Sequence, residues 1–255
     1  MHARSLAGGS SRSVGLVVHE IGQIRTLRAH QVGAIIVAGS GFVDPAMQSD
    51  ATRELQAFQR SGGRVTVIGR HHLGTDAVLP DNVGGGRVVA EHVLSLGHRR
   101  IAVAVATGSR ALTTIADRLA GIESALTACG LTLSELPVVE AEFTRAGGKQ
   151  AAERILEEHA DVTAIIALND DMAIGALSAL RARGIGVPDQ ISVAGFDDVA
   201  VAQDLAPSLT TVRLPMADMG EQALLLALKE PSNRPRRRRA GHLLVRRDST
   251  APPPV

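Results

Sequence analysis

Short apolar runs alternate along this chain with longer stretches in which apolar residues recur at helical spacing. The apolar runs predict strands at 14–18, 34–38, 64–69, 100–105, 137–139, 164–168, 191–195, 209–212 and 241–247. The helical spacing predicts helices at 21–31, 50–60, 83–96, 114–129, 145–159, 171–183 and 215–229, with loops at 70–82 and 231–239. Because strands and helices alternate, we expect an α/β protein with doubly wound, mostly parallel sheets.

Two of the predicted strands run directly into pairs of polar side chains. The strand at 164–168 is followed by Asn169 and Asp170, and the strand at 191–195 continues into Asp197 and Asp198. In open α/β sheets, ligands bind outside the carboxyl ends of the strands, and a carboxylate there can accept hydrogen bonds from neighbouring hydroxyls. No nucleophile or metal-ligand cluster accompanies these pairs, so they indicate a site that binds a ligand without reacting with it.

The composition narrows the class of protein. Of 255 residues, 45% are hydrophobic and only 2% are aromatic, so the core must be aliphatic. The net charge of +1 argues neither for nor against nucleic-acid binding. The single cysteine, Cys129, excludes an internal disulfide and fits a reducing compartment. Since no apolar run reaches the length of a membrane span and the N-terminus has no apolar signal core, we expect a cytoplasmic protein without a membrane partner.

Several candidate chemical motifs favour plain structural explanations. The run Gly84-Gly85-Gly86 lacks the spacing of a phosphate-binding fingerprint, so it indicates a permissive entry into a helix. Arg236–Arg239 can contact phosphates, but a solvated loop is the better interpretation. The nine histidines show no metal-ligand spacing, and the adjacent Asp197 and Asp198 point opposite ways along a strand. We therefore expect no catalysis, no cofactor and no metal.

An ordered set of motifs resembles one protein family. The motifs are Ala3–Ala7, Leu96–Ala102, Arg118–Gly121, Leu168–Asp170 with Met172–Ala176, Ile191–Asp198, Leu209–Val212 and Ser249–Pro253. Each motif is weak alone, but together and in this order they resemble the effector-binding core of LacI/GalR-family transcriptional repressors. The resemblance covers almost the whole chain.

The resemblance implies a fold similar to that of type I periplasmic sugar-binding proteins, with two α/β subdomains and the effector between them. It implies a hinge helix and linker at 1–12, an N-terminal subdomain at 13–97 plus 213–240, and a C-terminal subdomain at 98–212 plus 241–255. The chain would then cross between subdomains near Gly97, Val212 and Ala240.

Two departures from the family pattern bear on function. The N-terminal helix-turn-helix is absent, so we expect a repressor core in which residues 3–7 correspond to the hinge helix. There Leu6 matches the leucine that wedges into the DNA minor groove, with Arg4 and Ser5 beside it. Between Glu20 and Ile21, roughly 30 to 40 residues, a βαβ unit less one strand, are missing. They are either deleted or left out of the recorded sequence.

The resemblance also assigns ligand contacts. Arg118 corresponds to the family's effector clamp, whose planar fork suits paired oxygens. Asp197 is the matching acceptor, whereas Asp198 is expected to bond structurally. Asn169 either binds the ligand or caps the following helix, and Asn169 and Asp170 can divide these roles.

Two further ligand contacts stay open at this point. Phe143 matches a residue that stacks on a sugar or purine, with ordinary core packing as the alternative. His19 ends the first predicted strand and faces the same cleft in the family, although an isolated histidine is more often structural.

The most economical hypothesis is the effector-binding and dimerisation domain of a LacI/GalR-type repressor. Its partners would be a small effector (a sugar, a sugar phosphate or a nucleobase-like molecule), operator DNA through the absent helix-turn-helix and the hinge, and a second copy in a homodimer. A transporter's sugar-binding protein and an enzyme on the same layout are the alternatives. The missing signal peptide and retained hinge argue against the first, and the lack of a reacting constellation argues against the second.

Overall fold

The computed structural model describes residues 13–17, 21–108, 111–230, 232 and 234–254. The strands are β1 (Val14–Val17), β2 (Ala34–Ala38), β3 (Arg64–Ile68), β4 (Asp76–Pro80), β5 (Ile101–Ala106), β6 (Val138–Ala141), β7 (Ala164–Ala167), β8 (Ser192–Asp197), β9 (Thr210–Arg213), β10 (Arg237–Ala240) and β11 (Leu243–Val245). The helices are α1 (Ile21–Ala29), α2 (Ser49–Arg60), α3 (Asn82–Ser95), α4 (Thr113–Ala128), α5 (Arg145–Glu158), α6 (Asp170–Ala182) and α7 (Met216–Leu228), with short 3₁₀-helices at Pro45–Gln48, Leu133–Glu135 and Ala200–Gln203.

The chain forms two compact units. Unit 1 comprises Met1–Pro80 and Met216–Ala240, and unit 2 comprises Asp81–Pro215 and Gly241–Val255. Each unit has its own sheet of alternating β and α elements, which confirms the predicted α/β class.

Unit 1 contains a five-stranded sheet in the order β1-β2-β3-β4-β10, and every neighbouring pair is parallel. Helix α7 packs on β2, β3 and β4, while α1 and α2 pack on each other. Side chains from α1, α2 and the sheet form one buried cluster that includes Ile24, Ile35, Leu55, Phe58 and Val67.

Unit 2 contains a six-stranded sheet in the order β11-β9-β8-β7-β5-β6. All of its pairs are parallel except β11 with β9. The sheet is almost entirely aliphatic at its centre, since β5 and β7 are buried along their whole length. Such continuous apolar runs suit strands that are covered on both faces.

The structure adds two strands where the sequence predicts loops. Strand β4 lies inside the predicted loop 70–82, and β10 begins in the basic stretch 231–239 and ends at Ala240. The loop predicted for Arg236–Arg239 is therefore wrong at Arg237–Arg239, although these three residues are exposed, as a solvated segment would be. The two strands pair with each other, and Arg236 begins the pairing: its Nε lies 2.9 Å from Asp76 Oδ2 and its backbone N–H donates to Asp76 Oδ1 at 2.6 Å. This pairing joins residues far apart in the sequence, so the spacing of apolar residues within either segment does not predict it.

The first boundary between the units also differs from the predicted one. We expected the N-terminal subdomain to run to Gly97, whereas unit 1 ends at Pro80 and α3 belongs to unit 2. The reason is the extensive packing of α3 on α4.

Glycines make that packing possible. A Cβ on Gly86 of α3 would overlap the carbonyl oxygen of Arg118 on α4, and a Cβ on Gly121 of α4 would overlap the carbonyl oxygen of Val83. The glycine run at 84–86 therefore serves close helix packing in addition to helix entry, and it fixes the distance between α3 and the backbone of Arg118.

We predict that Gly86→Ala lowers the free energy of unfolding by about 2 kcal/mol, because the added methyl group forces α3 and α4 apart. Gly220→Ala in α7 is the matched control, since nothing lies within 4 Å of its Cβ position. The control should stabilise the chain by about 0.5–1 kcal/mol through helix propensity. Urea unfolding followed by circular dichroism measures both, and equal effects at the two glycines would contradict the packing argument.

Candidate ligand-binding site

Arg118 is the centre of a buried polar cluster at the carboxyl edge of the unit 2 sheet. The side chain lies on α4 and is only 4% exposed. Its Nη2 donates to Asp197 Oδ1 at 2.7 Å, its Nε donates to Asn82 Oδ1 at 3.0 Å, and its Nη1 donates to the carbonyl oxygen of Leu168. The structure thus brings together two of the predicted ligand residues, Arg118 and Asp197, as a direct ion pair.

The ring of Phe196 lies beneath this guanidinium. The Arg118 Cζ is 3.6 Å from the ring centroid, and Phe196 is fully buried in β8. A cation over an aromatic face gains more when both are removed from water. Burial lowers the pKa of Arg118, and the Asp197 carboxylate opposes that shift, so the guanidinium stays charged.

Asp197 ends β8, and both it and the following Asp198 have an unusual backbone conformation. Their φ angles are 112° and 56°, in the left-handed region that non-glycine residues seldom adopt. The two carboxylates reach different partners: Asp197 meets Arg118, whereas Asp198 lies 2.5 Å from Arg213 Nε and 2.7 Å from Arg247 Nη2. The structure therefore gives Asp198 the structural bonds expected for it.

The pKa values of Asp197 and Asp198 shift in opposite directions. Burial raises the pKa of Asp197, although Arg118 acts in the opposite direction. For Asp198, burial would also raise the pKa, but the hydrogen bonds from Arg247 and Arg213 outweigh it and lower the pKa.

Asn169 and Asp170 have separate structural roles. Asn169 Oδ1 accepts from the backbone N–H of Met172 at 2.8 Å, which is the predicted helix cap on α6. This leaves its amide nitrogen without a hydrogen-bond partner among the described residues. Asp170 is completely buried and accepts from Thr211 Oγ1 at 2.6 Å and from the backbone N–H of Val199 at 2.8 Å.

Of the remaining predicted contacts, Phe143 alone is among the described residues. Phe143 follows β6 at the same carboxyl edge, and its side chain is 43% exposed, so it is not ordinary core. His19 and the hinge residues Arg4, Ser5 and Leu6 lie outside the described residues.

Sequence reasoning missed Asn82 and Phe196 as partners of Arg118. Asn82 stands next to the junction at Pro80, and only the packing of α3 on α4 brings it to the guanidinium. Phe196 lies within the motif around Asp197, and its position directly before that aspartate is the one signal that pointed to it.

The described residues contain neither a group that could hold a metal ion nor a helix that could span a membrane. Within the described ranges, no group of three or more His, Cys, Asp or Glu side chains is arranged to hold a metal ion. None of the described helices is both long enough and apolar enough to span a membrane.

We predict that Asp170 makes stability depend on pH. Burial raises its pKa from 3.8 to about 6, so folding favours the protonated form. Its contribution to stability is therefore complete below the unfolded pKa and falls as the pH rises through about 6. Relative to Asp170→Asn, the wild-type free energy of unfolding should drop by about 2 kcal/mol between about pH 4 and about pH 7.

Urea unfolding across this pH range measures the difference, with Asp171→Asn as the control. Asp171 is the next residue of the same helix, is half exposed and pairs with Arg145 at 2.8 Å. A wild-type curve that runs parallel to that of Asp170→Asn would contradict the assignment.

Comparison with known proteins places this geometry in a family. A family model described as a periplasmic binding protein-like domain matches residues 90–250. Among curated proteins, the HTH-type transcriptional regulator AscG of Escherichia coli is 40% identical over 168 residues, which are 65% of this chain and 49% of that protein. The HTH-type transcriptional regulator DegA of Bacillus subtilis is 38% identical over 185 residues, which are 71% of this chain and 53% of that protein. The chain thus spans about half the length of these relatives.

Solved structures agree with the sequence matches. A LacI family transcriptional regulator from Enterococcus faecium with bound ribose has a TM-score of 0.82 and 26% identity, covering 91% of this chain and 84% of that one. The complex of the transcriptional regulator CelR with cellobiose has a TM-score of 0.78 and 28% identity, covering 90% of this chain and 71% of that one. These matches confirm the resemblance to LacI/GalR-family regulators drawn from the motifs, and the chain belongs to the periplasmic-binding-protein-like family.

Proposed function

We propose that this chain is the effector-binding and dimerisation domain of a LacI/GalR-type transcriptional repressor. It would bind a small polar ligand and thereby control the affinity of the whole protein for operator DNA. The observation that carries the proposal is the ion pair between the buried Arg118 and the partly exposed Asp197 at the carboxyl edge of the unit 2 sheet. The named relatives are transcriptional regulators, which supports this function over a transporter's sugar-binding protein or an enzyme. A regulator of this kind would work in the cytoplasm.

The hydrogen-bonding groups of the cluster suit a ligand with several hydroxyls. Asp197 has a second carboxylate oxygen beyond the one bound to Arg118, and Asn169 has an amide nitrogen to donate. Phe143 adds an exposed ring at the same edge, against which the C–H face of a sugar can pack.

The charges favour a neutral ligand over a phosphorylated one. The Arg118 charge is already compensated by Asp197, and the buried Asp170 and the half-exposed Asp171 add negative charge nearby. A phosphate bound to Arg118 would compete with the carboxylate of Asp197 and meet the charge of Asp171, whereas hydroxyls can bond to both members of the pair. A neutral sugar or polyol is therefore the proposed effector class.

The effector would act by binding one conformational state of the protein better than another. A ligand shifts an equilibrium only through its difference in affinity for the two states. In the proposed repressor, that difference would couple the effector site to operator affinity, and the coupling is reciprocal.

We predict that a neutral sugar raises the melting temperature of the purified chain, while its phosphate ester does not. The panel pairs ribose with ribose 5-phosphate and glucose with glucose 6-phosphate, and adds cellobiose and a purine. For the ligand that binds, Asp197→Asn should weaken affinity about 10- to 100-fold, because the charge-assisted hydrogen bond becomes an ordinary one. Calorimetric titration measures the dissociation constants.

Two variants make this test decisive. Asp204→Asn removes an exposed carboxylate from the same unit and should leave affinity unchanged. Phe143→Ala should weaken sugar binding several-fold without lowering stability, since its ring is largely exposed. Tighter binding of the phosphate ester would contradict the neutral-ligand class, and a panel without any binder would contradict the sugar-responsive function.

We also predict a homodimer that involves unit 2. Half-buried apolar side chains of α6 and the following loops line a depression of about 600 Å³, among them Ile174, Leu177, Val187 and Leu205. A charge there should dissociate the dimer, so Ile174→Lys should give the monomer mass in light scattering. Leu224→Lys on α7 places the same charge on an exposed leucine of unit 1 and should leave the mass unchanged. A monomeric wild type would refute the dimer.

A further inference from the structure

The two units carry opposite net charges. Unit 1 contains 14 Lys and Arg against 8 Asp and Glu, a net charge of +6. Unit 2 contains 13 Lys and Arg against 18 Asp and Glu, a net charge of −5. The whole-chain charge of +1 therefore conceals a basic unit and an acidic unit.

The basic residues of unit 1 gather at one edge of its sheet. Because neighbouring strands are parallel, β1, β2, β3, β4 and β10 all begin at this amino edge, and α1, α2 and α7 end there. Cations stand at these helix ends and strand starts, namely Arg28, Arg60, Arg64, Lys229, Arg234 and Arg236. Arg25, Arg28 and Arg64 line an open cavity of about 980 Å³ at this edge.

Some of these cations are already neutralised within the unit. Arg25 and Arg28 both pair with Glu54, and Arg236 pairs with Asp76. Among the described residues, Arg60, Arg234 and the β10 residues Arg237–Arg239 are exposed and have no ion-pair partner. The surplus positive charge of unit 1 therefore points into solvent along the amino edge and β10.

Two general explanations each cover part of this pattern. Cations at helix ends compensate the helix dipole, which accounts for Arg28 and Arg60. Charged side chains on an edge strand prevent strand pairing between molecules, which accounts for Arg237–Arg239 on β10. Neither explains why the excess of positive charge is confined to one unit. Arginine supplies 13 of the 14 cations there, and its planar fork binds phosphate with two parallel hydrogen bonds.

We propose that the amino edge of unit 1, together with β10, forms a surface that binds the phosphates of duplex DNA without reading its sequence. The chain connectivity supports this partner. Strand β1 begins at the amino edge, so the segment with Arg4, Ser5 and Leu6, which we expect to contact DNA, is joined to this edge through Ser13. The acidic unit 2 would be repelled by the same duplex, which favours approach through unit 1. The proposal rests on the proposed function only in that DNA is the partner.

Fluorescence anisotropy with a labelled duplex of random sequence tests this surface on the whole chain. The wild type should bind at low salt and lose affinity steeply between about 50 and 200 mM salt as counterions are released. The variant Arg234→Gln/Arg237→Gln/Arg238→Gln should flatten the slope of log affinity against log salt by about 2–3, which is close to one for each phosphate that is no longer neutralised. The control Arg87→Gln/Arg100→Gln/Arg246→Gln removes the same charge from exposed positions of unit 2 and should keep the wild-type slope.

The contradicting outcomes are distinct. The proposal is wrong if the wild type does not bind the duplex, or if the salt slope falls equally in the two triple variants. It is also wrong if the wild type binds polyglutamate or anionic vesicles and not DNA. Thermal unfolding of each variant confirms that it is folded. Because this assay contains no effector, its failure leaves sugar binding at Asp197 intact and is separable from failure of the proposed function.

Discussion

The ion pair between Arg118 and Asp197 is the interaction on which unit 2 and its site depend. An arginine that is only 4% exposed loses its hydration, and one carboxylate does not satisfy all of its donors. The fold supplies the rest: a carbonyl oxygen after β7, an amide oxygen at the start of α3 and an aromatic face from β8. Helix α3, strand β8 and the residue after β7 thus all contact one guanidinium, which fixes their positions relative to each other.

Close helix packing sets the position of that guanidinium. The backbone of Arg118 lies directly against Gly86, so α3 and α4 can approach only because no side chain separates them. The same approach brings Asn82 within hydrogen-bonding distance. The packing of α3 on α4 therefore also sets the geometry of the site. A change in that packing would move Arg118 and Asn82 relative to each other.

The preorganised pair also shapes what the site can recognise. A ligand that reaches Asp197 meets a carboxylate whose orientation is held by Arg118 and whose backbone is held in the left-handed region. Strain of this kind persists only where the surroundings enforce it, and it concentrates at functional sites. The neighbouring Asp198 anchors the strand end through Arg213 and Arg247, which leaves Asp197 as the member available to a ligand. The excess of positive charge on unit 1 and of negative charge on unit 2 adds a second, longer-range property that local motifs do not report.

Short stretches of sequence were enough to predict the α/β class, most helices and strands, the aliphatic core and the polar strand ends at Asn169 and Asp197. These features depend on the periodicity and residue type of single segments, which are local. Other features come only from contacts between separate segments: the pairing of β4 with β10, the boundary at Pro80, and the burial of Arg118 against Phe196. Each of these depends on which segment packs or pairs with which, and a short stretch of sequence cannot specify its partner in another segment when many segments share its pattern.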